Sequence, residues 1–99
     1  MFKGKKILIT GGTGSLGKAL AKKLLELDAD IVRIFSRNEN NQTTMESEFD
    51  DDRLRYFIGD VRDLPRLIKA MEDVDIVFHA AEAFELIMSR LDNTSNLFN

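Results

Sequence analysis

The fold of this 99-residue chain is decided by one stretch, ILITGGTGSLG at residues 7–17. It begins with an apolar run that ends at Thr10, and such a run before glycines is typical of a buried parallel strand. Apolar residues then recur at helical spacing over residues 14–27, with lysines on the other faces. The stretch therefore predicts a strand, a glycine-rich turn and an amphipathic helix. The expected buried stripe of this helix consists of Leu16, Ala19, Leu20, Leu24 and Leu27.

Apolar runs and helical patterns alternate along the rest of the chain. Further strands are predicted at residues 31–35, 54–58 and 76–78, and further helices at 42–49, 64–71 and 82–91, with a polar loop at 36–42. Asp63 is the expected N-cap of the helix at 64–71, whose buried stripe is predicted to be Leu64, Leu67, Ile68 and Met71. Four strands separated by helices predict one α/β domain over residues 1–99, a three-layer sandwich around a parallel sheet. Right-handed crossovers give the strand order 3-2-1-4, followed by a C-terminal helix.

The glycines of residues 11–17 stand where a phosphate-binding turn is expected, between a buried strand and the start of a helix. Gly11 allows a sharp turn, Gly14 leaves no side chain where backbone would approach a pyrophosphate, and Gly17 lets the helix pack closely. The helix N-terminus offers N–H groups and a partial positive charge, and Thr13 and Ser15 add hydroxyl donors. These features predict a Rossmann-like dinucleotide site. The alternative is a glycine-rich turn that binds nothing.

The end of the second predicted strand bears on which dinucleotide is bound. An acidic residue there would bind the 2′-hydroxyl of NAD, whereas this chain has Ser36-Arg37-Asn38. A guanidinium pairs with a 2′-phosphate through charge-assisted hydrogen bonds. Arg37 therefore favours NADP over NAD, unless it is one more solvated surface charge.

The ends of the third and fourth predicted strands add candidate contacts for the rest of the dinucleotide. Asp60 can accept a hydrogen bond from the adenine amino group and the Val61 backbone can face the ring; alternatively, Asp60 only caps its turn. Ala80 and Ala81 either leave space for the middle of the cofactor or serve close packing. His79 is the only histidine and no carboxylate or cysteine cluster has ligand spacing, so we predict no metal site and interpret His79 as a packed strand-end residue.

Charge and cysteine content limit the classes of function. The chain has 14 basic and 17 acidic residues and a formal net charge of −3, which is not typical of nucleic-acid or anionic-membrane binding. It has no cysteine, which excludes disulfides and fits a reducing cytoplasm. The apolar run before Thr10 is too short for a signal-peptide core, and no window reaches transmembrane length. We therefore expect a soluble, cytoplasmic protein.

Five motifs in the chain resemble those of extended short-chain dehydrogenase/reductases. They are TGGTGSLG at residues 10–17, IFSR at 34–37, RLR at 53–55, FIGDVRD at 57–63 and DIVFHAA at 75–81. The chain is most similar to the branch of UDP-N-acetylglucosamine 4,6-dehydratases and related polysaccharide-biosynthesis proteins. The resemblance covers residues 1–81.

This resemblance implies a bound NADP. The implied contacts are Thr13, Gly14, Ser15 and Leu16 at the phosphates, Ser36 and Arg37 at the 2′-phosphate, Asp60 and Val61 at adenine, and Ala80 and Ala81 along the cofactor. The reaction of the family removes a hydride from C4 of a nucleotide sugar, eliminates water and returns the hydride at C6.

The chain also departs from the family pattern. Asn38 and Asn41 stand where the family usually has aspartate and lysine, which removes part of the expected grip on the 2′-phosphate. After Ala81, Glu82-Ala83-Phe84 replaces an alanine, an apolar residue and a cofactor-contacting lysine. The catalytic Tyr-x-x-x-Lys pair is missing, because the only tyrosine, Tyr56, is followed four residues later by Asp60. We therefore predict no catalytic residue.

Three functional hypotheses follow. The first is a truncated dinucleotide-binding half-domain, family-like over residues 1–81 and atypical over 82–99, which binds NADP(H) without turning over a sugar alone. The second is a structural fragment with little cofactor affinity that forms a homodimer through the exposed edge of the fourth strand or through the C-terminal helix. The third is an enzyme whose active site is completed by a second chain.

Overall fold

A computed structural model describes residues 1–80 of the chain. It contains the strands β1 (Lys6–Thr10), β2 (Ile31–Ser36), β3 (Leu54–Ile58) and β4 (Ile76–His79), and the helices α1 (Ser15–Glu26), α2 (Glu39–Phe49) and α3 (Leu64–Ala70). All neighbouring strands are parallel, and their order is β3-β2-β1-β4. This confirms the predicted α/β fold and strand order. The helix predicted at residues 82–91 and the site residue Ala81 lie outside the described part of the chain.

The alternating side chains of the strands divide the core into two clusters, one on each face of the sheet. Ile7 and Ile9 of β1 pack with residues of α1 and with Met45 of α2. Leu8 packs with Phe35 and with Ala70 of α3. Helices therefore cover both faces of the sheet, which gives the three layers of a Rossmann-like fold.

Helix α1 turns a different face to the sheet than its leucine pattern predicted. Its buried residues are Gly17, Ala21, Leu24 and Leu25, whereas Leu16, Ala19 and Leu27 are exposed. Gly17 lies directly against the backbone of Gly11 and Gly12, and this contact fixes the rotation of the helix. Only Leu24, which is buried, and Leu20, which packs on the core, confirm the predicted stripe.

Helix α2 begins at Glu39, three residues before the predicted start. Asn38 is its N-cap, and the Oδ1 atom of Asn38 accepts a hydrogen bond from the backbone N–H of Asn41 at 3.0 Å. Most of the predicted polar loop at residues 36–42 is therefore helix.

The predicted buried stripe of α3 is confirmed only at Leu67 and is wrong at Leu64, Ile68 and Met71, which are exposed. Leu64 is 60% exposed and Ile68 is 56% exposed. The helix contacts the sheet chiefly through Leu67 and Ala70. Arg33 of β2 lies on this face as well, and its Nη1 atom donates to the Ala70 carbonyl oxygen at 3.0 Å. The Arg33 guanidinium therefore provides a hydrogen-bond donor for a carbonyl oxygen at the C-terminus of α3, on a face where apolar packing was predicted.

The carboxyl ends of β1, β2 and β3 meet at one edge of the sheet. Thr10 lies opposite Phe35, and Ser36 lies opposite Ile58. Because these ends are adjacent, the segments at residues 11–17, 37–38 and 59–62 lie side by side. In open α/β sheets, ligands bind at this carboxyl edge.

Candidate functional site

The glycine loop after β1 turns sharply at Gly11, whose φ of 69° is a left-handed conformation that favours glycine. The Gly11 N–H donates to the Phe35 carbonyl oxygen at 2.8 Å, which ties the loop to the end of β2. The Gly14 N–H donates to the Gly11 carbonyl oxygen at 3.3 Å and closes the turn. The loop therefore has the conformation that its glycines predict.

Gly14 and Gly17 have opposite surroundings. A Cβ atom at Gly17 would lie 2.5 Å from the Cα atom of Gly12 and 2.7 Å from the carbonyl oxygen of Gly11, so the packing requires a glycine there. A Cβ atom at Gly14 would find its nearest neighbour, the Gly11 carbonyl oxygen, at 3.7 Å, which is ordinary contact. Nothing in the described protein requires a glycine at Gly14, so the open space beside it is available to a ligand.

The N-terminus of α1 presents backbone donors without a side-chain cap. Gly14 is the N-cap residue, in an extended conformation, and none of its neighbours in residues 1–80 supplies a capping side-chain hydrogen bond. The first helical hydrogen bond runs from the Lys18 N–H to the Gly14 carbonyl oxygen at 2.9 Å. The N–H groups of Ser15, Leu16 and Gly17 precede that bond and point out of the helix end. They carry the partial positive charge of the helix dipole and suit an anion.

A cavity of about 460 Å³ lies beside this helix end, in the size range of small-molecule sites. The cavity brings together seven of the residues predicted from the sequence: Gly11, Thr13, Gly14, Ser36, Arg37, Asp60 and Val61. Its other lining residues are Phe35, Asn38, Asn41, Gly59 and Arg62. Ser15, Leu16, Gly17 and Ala80 are not among the lining residues. Ala80 is instead buried in the core cluster on the α1 side of the sheet.

Asp60 is held by two arginines. Its Oδ1 atom accepts from the Arg62 backbone N–H at 2.9 Å, and its Oδ2 atom accepts from Nη2 of Arg62 at 2.7 Å. Nη1 of Arg37 lies 3.8 Å from the same Oδ2 atom. These hydrogen bonds from Arg62, together with the charges of both arginines, hold the pKa of Asp60 well below its usual range. Asp60 thus caps its turn and is also a lining residue of the cavity.

Arg62 is a cavity residue that the sequence analysis missed. Its pairing with Asp60 raises the pKa of the Arg62 guanidinium. Because Asp60 forms its close hydrogen bonds with Arg62, Arg37 is held only loosely by the same carboxylate. The Arg37 side chain is 74% exposed. The signal was present in the sequence, because an aspartate two residues before an arginine after a strand end is a common side-chain-to-backbone turn.

The pairing of Asp60 predicts a pH dependence of stability. The folded pKa lies below the ordinary value of 3.8, so the contribution of Asp60 is complete above that value and is lost as pH falls through the lower folded pKa. We expect Asp60→Asn to lower the melting temperature at pH 7, and the difference between the two melting temperatures to narrow steadily as pH falls below 3.8. Thermal unfolding followed by circular dichroism across this range measures the effect.

Asp52→Asn is a matched control, since Asp52 is exposed and forms no ion pair within residues 1–80. Its melting temperature should follow that of the unaltered chain at every pH. A constant offset between Asp60→Asn and the unaltered chain down to pH 2 would contradict the assignment of this pKa to the arginine pair.

Gln42 is a second residue that the sequence analysis missed as a contributor to the site. Its side chain is 4% exposed, and Nε2 donates to Ser36 Oγ at 2.9 Å and to the Phe57 carbonyl oxygen at 2.8 Å. It lies within a helix of low hydrophobicity, and its partners are 6 and 15 residues away in sequence. No local pattern indicated that this amide is buried beneath the cavity wall.

The surroundings of His79 and Tyr56 bear on the roles considered for these two residues. His79 is exposed rather than packed, and its Nδ1 atom is joined by a hydrogen bond of 2.9 Å to Oγ1 of the buried Thr10. Tyr56 lies on β3, away from the cavity lining, and its hydroxyl is buried without a hydrogen-bond partner among the described residues. Burial, with the charges of Glu46 and Asp51, raises the pKa of Tyr56 to about 12, which is unsuited to proton transfer near neutral pH.

Residues 1–80 show neither a cluster of metal-ligating side chains nor a membrane-spanning helix. No group of three or more histidine, cysteine, aspartate or glutamate side chains in residues 1–80 is placed to hold a metal ion. No helix among α1, α2 and α3 has the length and apolar character needed to cross a membrane.

Relatives of known sequence include a nucleotide-sugar enzyme. A UDP-N-acetylglucosamine 4,6-dehydratase (inverting) of Campylobacter jejuni is 57% identical over 82% of this chain and 25% of that protein. A protein of Methanocaldococcus jannaschii named as an uncharacterized membrane protein is 42% identical over 97% of this chain and 32% of its own length. The chain therefore spans a quarter to a third of these relatives.

Solved structures agree with the fold. Pen from Bacillus thuringiensis is 47% identical, with a TM-score of 0.77 over 80% of this chain and 24% of that one. The Bordetella bronchiseptica enzyme WbmF, solved in complex with NAD+ and UDP, has a TM-score of 0.64 at 24% identity, over 79% of this chain and 23% of its own, and this likeness concerns the fold alone.

The family itself is shown by a match that covers most of the chain. Residues 7–89 match the family described as polysaccharide biosynthesis protein. This range includes the glycine loop, Arg37 and Asp60, which are also three parts of the site described above. The chain belongs to the polysaccharide biosynthesis protein family and carries the Rossmann-like fold of the extended short-chain dehydrogenase/reductases.

Proposed function

We propose that this chain binds the adenosine diphosphate part of a nicotinamide dinucleotide, NADP(H) in preference to NAD(H), as part of a nucleotide-sugar dehydratase or epimerase. One observation carries the proposal. Gly14, the N-cap residue of the uncapped helix α1, and Arg37 line the same cavity, so two separate anion-binding features adjoin one space. A dinucleotide with a 2′-phosphate has two anionic groups that would use them.

The residues present fit such a cofactor. The space beside Gly14 admits a pyrophosphate, because only the Gly11 carbonyl oxygen comes within 4 Å of a Cβ built there. The N–H groups of the first turn of α1 and the Thr13 hydroxyl supply donors. Arg37 and Ser36 would hold the 2′-phosphate, while Asp60 and the backbone of Val61 would address adenine.

The cofactor, when bound, supplies the chemistry of accepting and returning a hydride. The residues of this chain bind and orient it, since no Tyr-x-x-x-Lys pair exists in the sequence. The activity of a whole dehydratase or epimerase belongs to the proposal and needs residues beyond this sequence, in the same polypeptide or in a second chain.

A fluorescence titration tests the proposal directly. We expect NADPH to bind saturably with a dissociation constant below about 1 mM, and NADH to bind more weakly, since one anionic contact is absent. Enhanced reduced-nicotinamide fluorescence, or isothermal calorimetry where the ring stays in solvent, measures both. An absence of saturable binding of either dinucleotide up to millimolar concentration would refute the proposal.

Gly14→Ala links the binding to the loop. The new methyl group would occupy the space assigned to the pyrophosphate, so we expect a loss of at least about tenfold in affinity for both NADPH and NADH. The folded protein should tolerate the change, because the methyl meets only an ordinary contact. Equal affinities of the variant and the unaltered chain would show that the ligand does not approach Gly14.

A further inference from the structure

The amide of Gln42 joins the ends of β2 and β3 from below the cavity. Besides its bonds to Ser36 Oγ and to the Phe57 carbonyl oxygen, Nε2 lies 3.4 Å from the Ser36 carbonyl oxygen. Two of these three atoms are carbonyl oxygens, which only accept hydrogen bonds. The amide nitrogen must therefore face them, and this fixes the orientation of the side chain.

This orientation determines what the Ser36 hydroxyl can do. A hydroxyl has one proton and two lone pairs. One lone pair of Ser36 Oγ accepts the Gln42 proton, and within residues 1–80 Ser36 Oγ donates no hydrogen bond. Ser36 is 8% exposed and lines the cavity beside Arg37. Its proton is thus available to an acceptor inside the cavity.

We propose that Gln42 is a positioning residue for the recognition of a 2′-phosphate, because it holds the Ser36 hydroxyl as a donor into the cavity. The inference rests on the proposed function and adds a specificity determinant to it. A phosphate dianion only accepts hydrogen bonds and gains from a fixed donor. A 2′-hydroxyl both donates and accepts, so it gains less from the same arrangement. Gln42 therefore acts on the discrimination between the two dinucleotides without touching either.

Adenosine 2′,5′-bisphosphate carries a 2′-phosphate and ADP does not, and neither contains the nicotinamide half of the cofactor. Comparing their affinities therefore tests the recognition of the 2′-phosphate alone. Calorimetric titrations of both nucleotides are made with the full chain, Ser36→Ala, Gln42→Met and the double variant. Gln42→Met keeps the length of the side chain and removes the amide, and the Ser36 carbonyl oxygen still accepts from the Gly59 N–H at 2.9 Å. Asn40→Met is the matched control, as Asn40 is an exposed amide on the same helix.

We expect Ser36→Ala and Gln42→Met each to lower the affinity for adenosine 2′,5′-bisphosphate by about five- to tenfold. The affinity for ADP should change by less than about twofold. The double variant should be no weaker than the weaker single variant, since Gln42 acts through Ser36. Asn40→Met should change the affinity for neither nucleotide.

Three results would overturn the inference. They are equal losses for both nucleotides, losses that multiply in the double variant, or an unchanged affinity of Ser36→Ala for adenosine 2′,5′-bisphosphate. The last result decides the question even if Gln42→Met fails to fold. If the unaltered chain binds neither NADPH nor adenosine 2′,5′-bisphosphate, the proposed function fails and takes this inference with it. If NADPH binds normally to Ser36→Ala, only this inference fails.

Discussion

Gly17→Ala is expected to destabilise the folded chain by about 3 kcal/mol, the upper end of what overpacking a core usually costs. The added Cβ atom would lie 2.5 Å from Gly12 Cα, 2.6 Å from Gly12 C and 2.7 Å from the Gly11 carbonyl oxygen. All three are backbone atoms, so no change of side-chain rotamer relieves the contact. Helix α1 must move away from the glycine loop, and its packing through Ala21 and Leu24 moves with it. Urea denaturation measures the loss as a shift in midpoint.

Gly14→Ala is the matched control for this measurement, three residues earlier in the same loop. Its methyl group meets nothing closer than 3.7 Å. Alanine is a poorer N-cap than glycine, so we expect a loss of less than about 1 kcal/mol. If the two variants unfold at the same urea concentration, close packing at Gly17 does not determine the position of α1.

The two glycine variants distinguish a structural role from a ligand-binding role, which the sequence motif alone does not do. Both glycines satisfy the same pattern, and the sequence alone assigns both to a dinucleotide site. The surroundings of Gly17 explain its glycine through packing alone, whereas those of Gly14 give no packing reason. A fall in stability at Gly17 and a fall in affinity at Gly14 would therefore assign one glycine to the fold and the other to the ligand.

The sequence predicted well those features that depend on local pattern and on handedness. The apolar runs of β1 and β3 are bounded by glycine or aspartate, so their positions followed directly. Right-handed crossovers then determined the strand order. The convergence of Ser36, Arg37 and Asp60 on one cavity follows from that order, because residues after adjacent parallel strands must lie side by side.

Features that depend on how elements pack were not predictable in this way. Leucines occur on more than one side of α1, so periodicity alone did not choose the face that Gly17 brings to the sheet. The exposure of Leu64 and Ile68 depends on how α3 meets the sheet, and on Arg33 reaching it from β2. The burial of Gln42 depends on contacts with β2 and β3 that a weakly amphipathic helix does not reveal.

Arg37→Ala is expected to weaken NADPH binding by about ten- to a hundredfold while NADH changes by less than about twofold. The guanidinium is largely exposed and held by Asp60 only at 3.8 Å, so it can turn to a 2′-phosphate without breaking a strong bond. Arg62, the other arginine among the described lining residues, is not free in this sense, because it forms two close side-chain bonds to Asp60. Asn38 and Asn41, which also line the cavity, carry no charge that would replace the lost one.

Arg55→Ala is the control for this charge effect, as Arg55 is exposed on β3 and does not line the cavity. It removes the same charge from the same sheet, so any change in long-range attraction alone should be shared by both variants. We expect Arg55→Ala to leave the affinities for NADPH and NADH within about twofold of those of the unaltered chain, and the Arg37 effect to shrink as salt is raised. Parallel losses of NADPH and NADH in Arg37→Ala would place this arginine at the pyrophosphate instead, and the preference for NADP would then need another source.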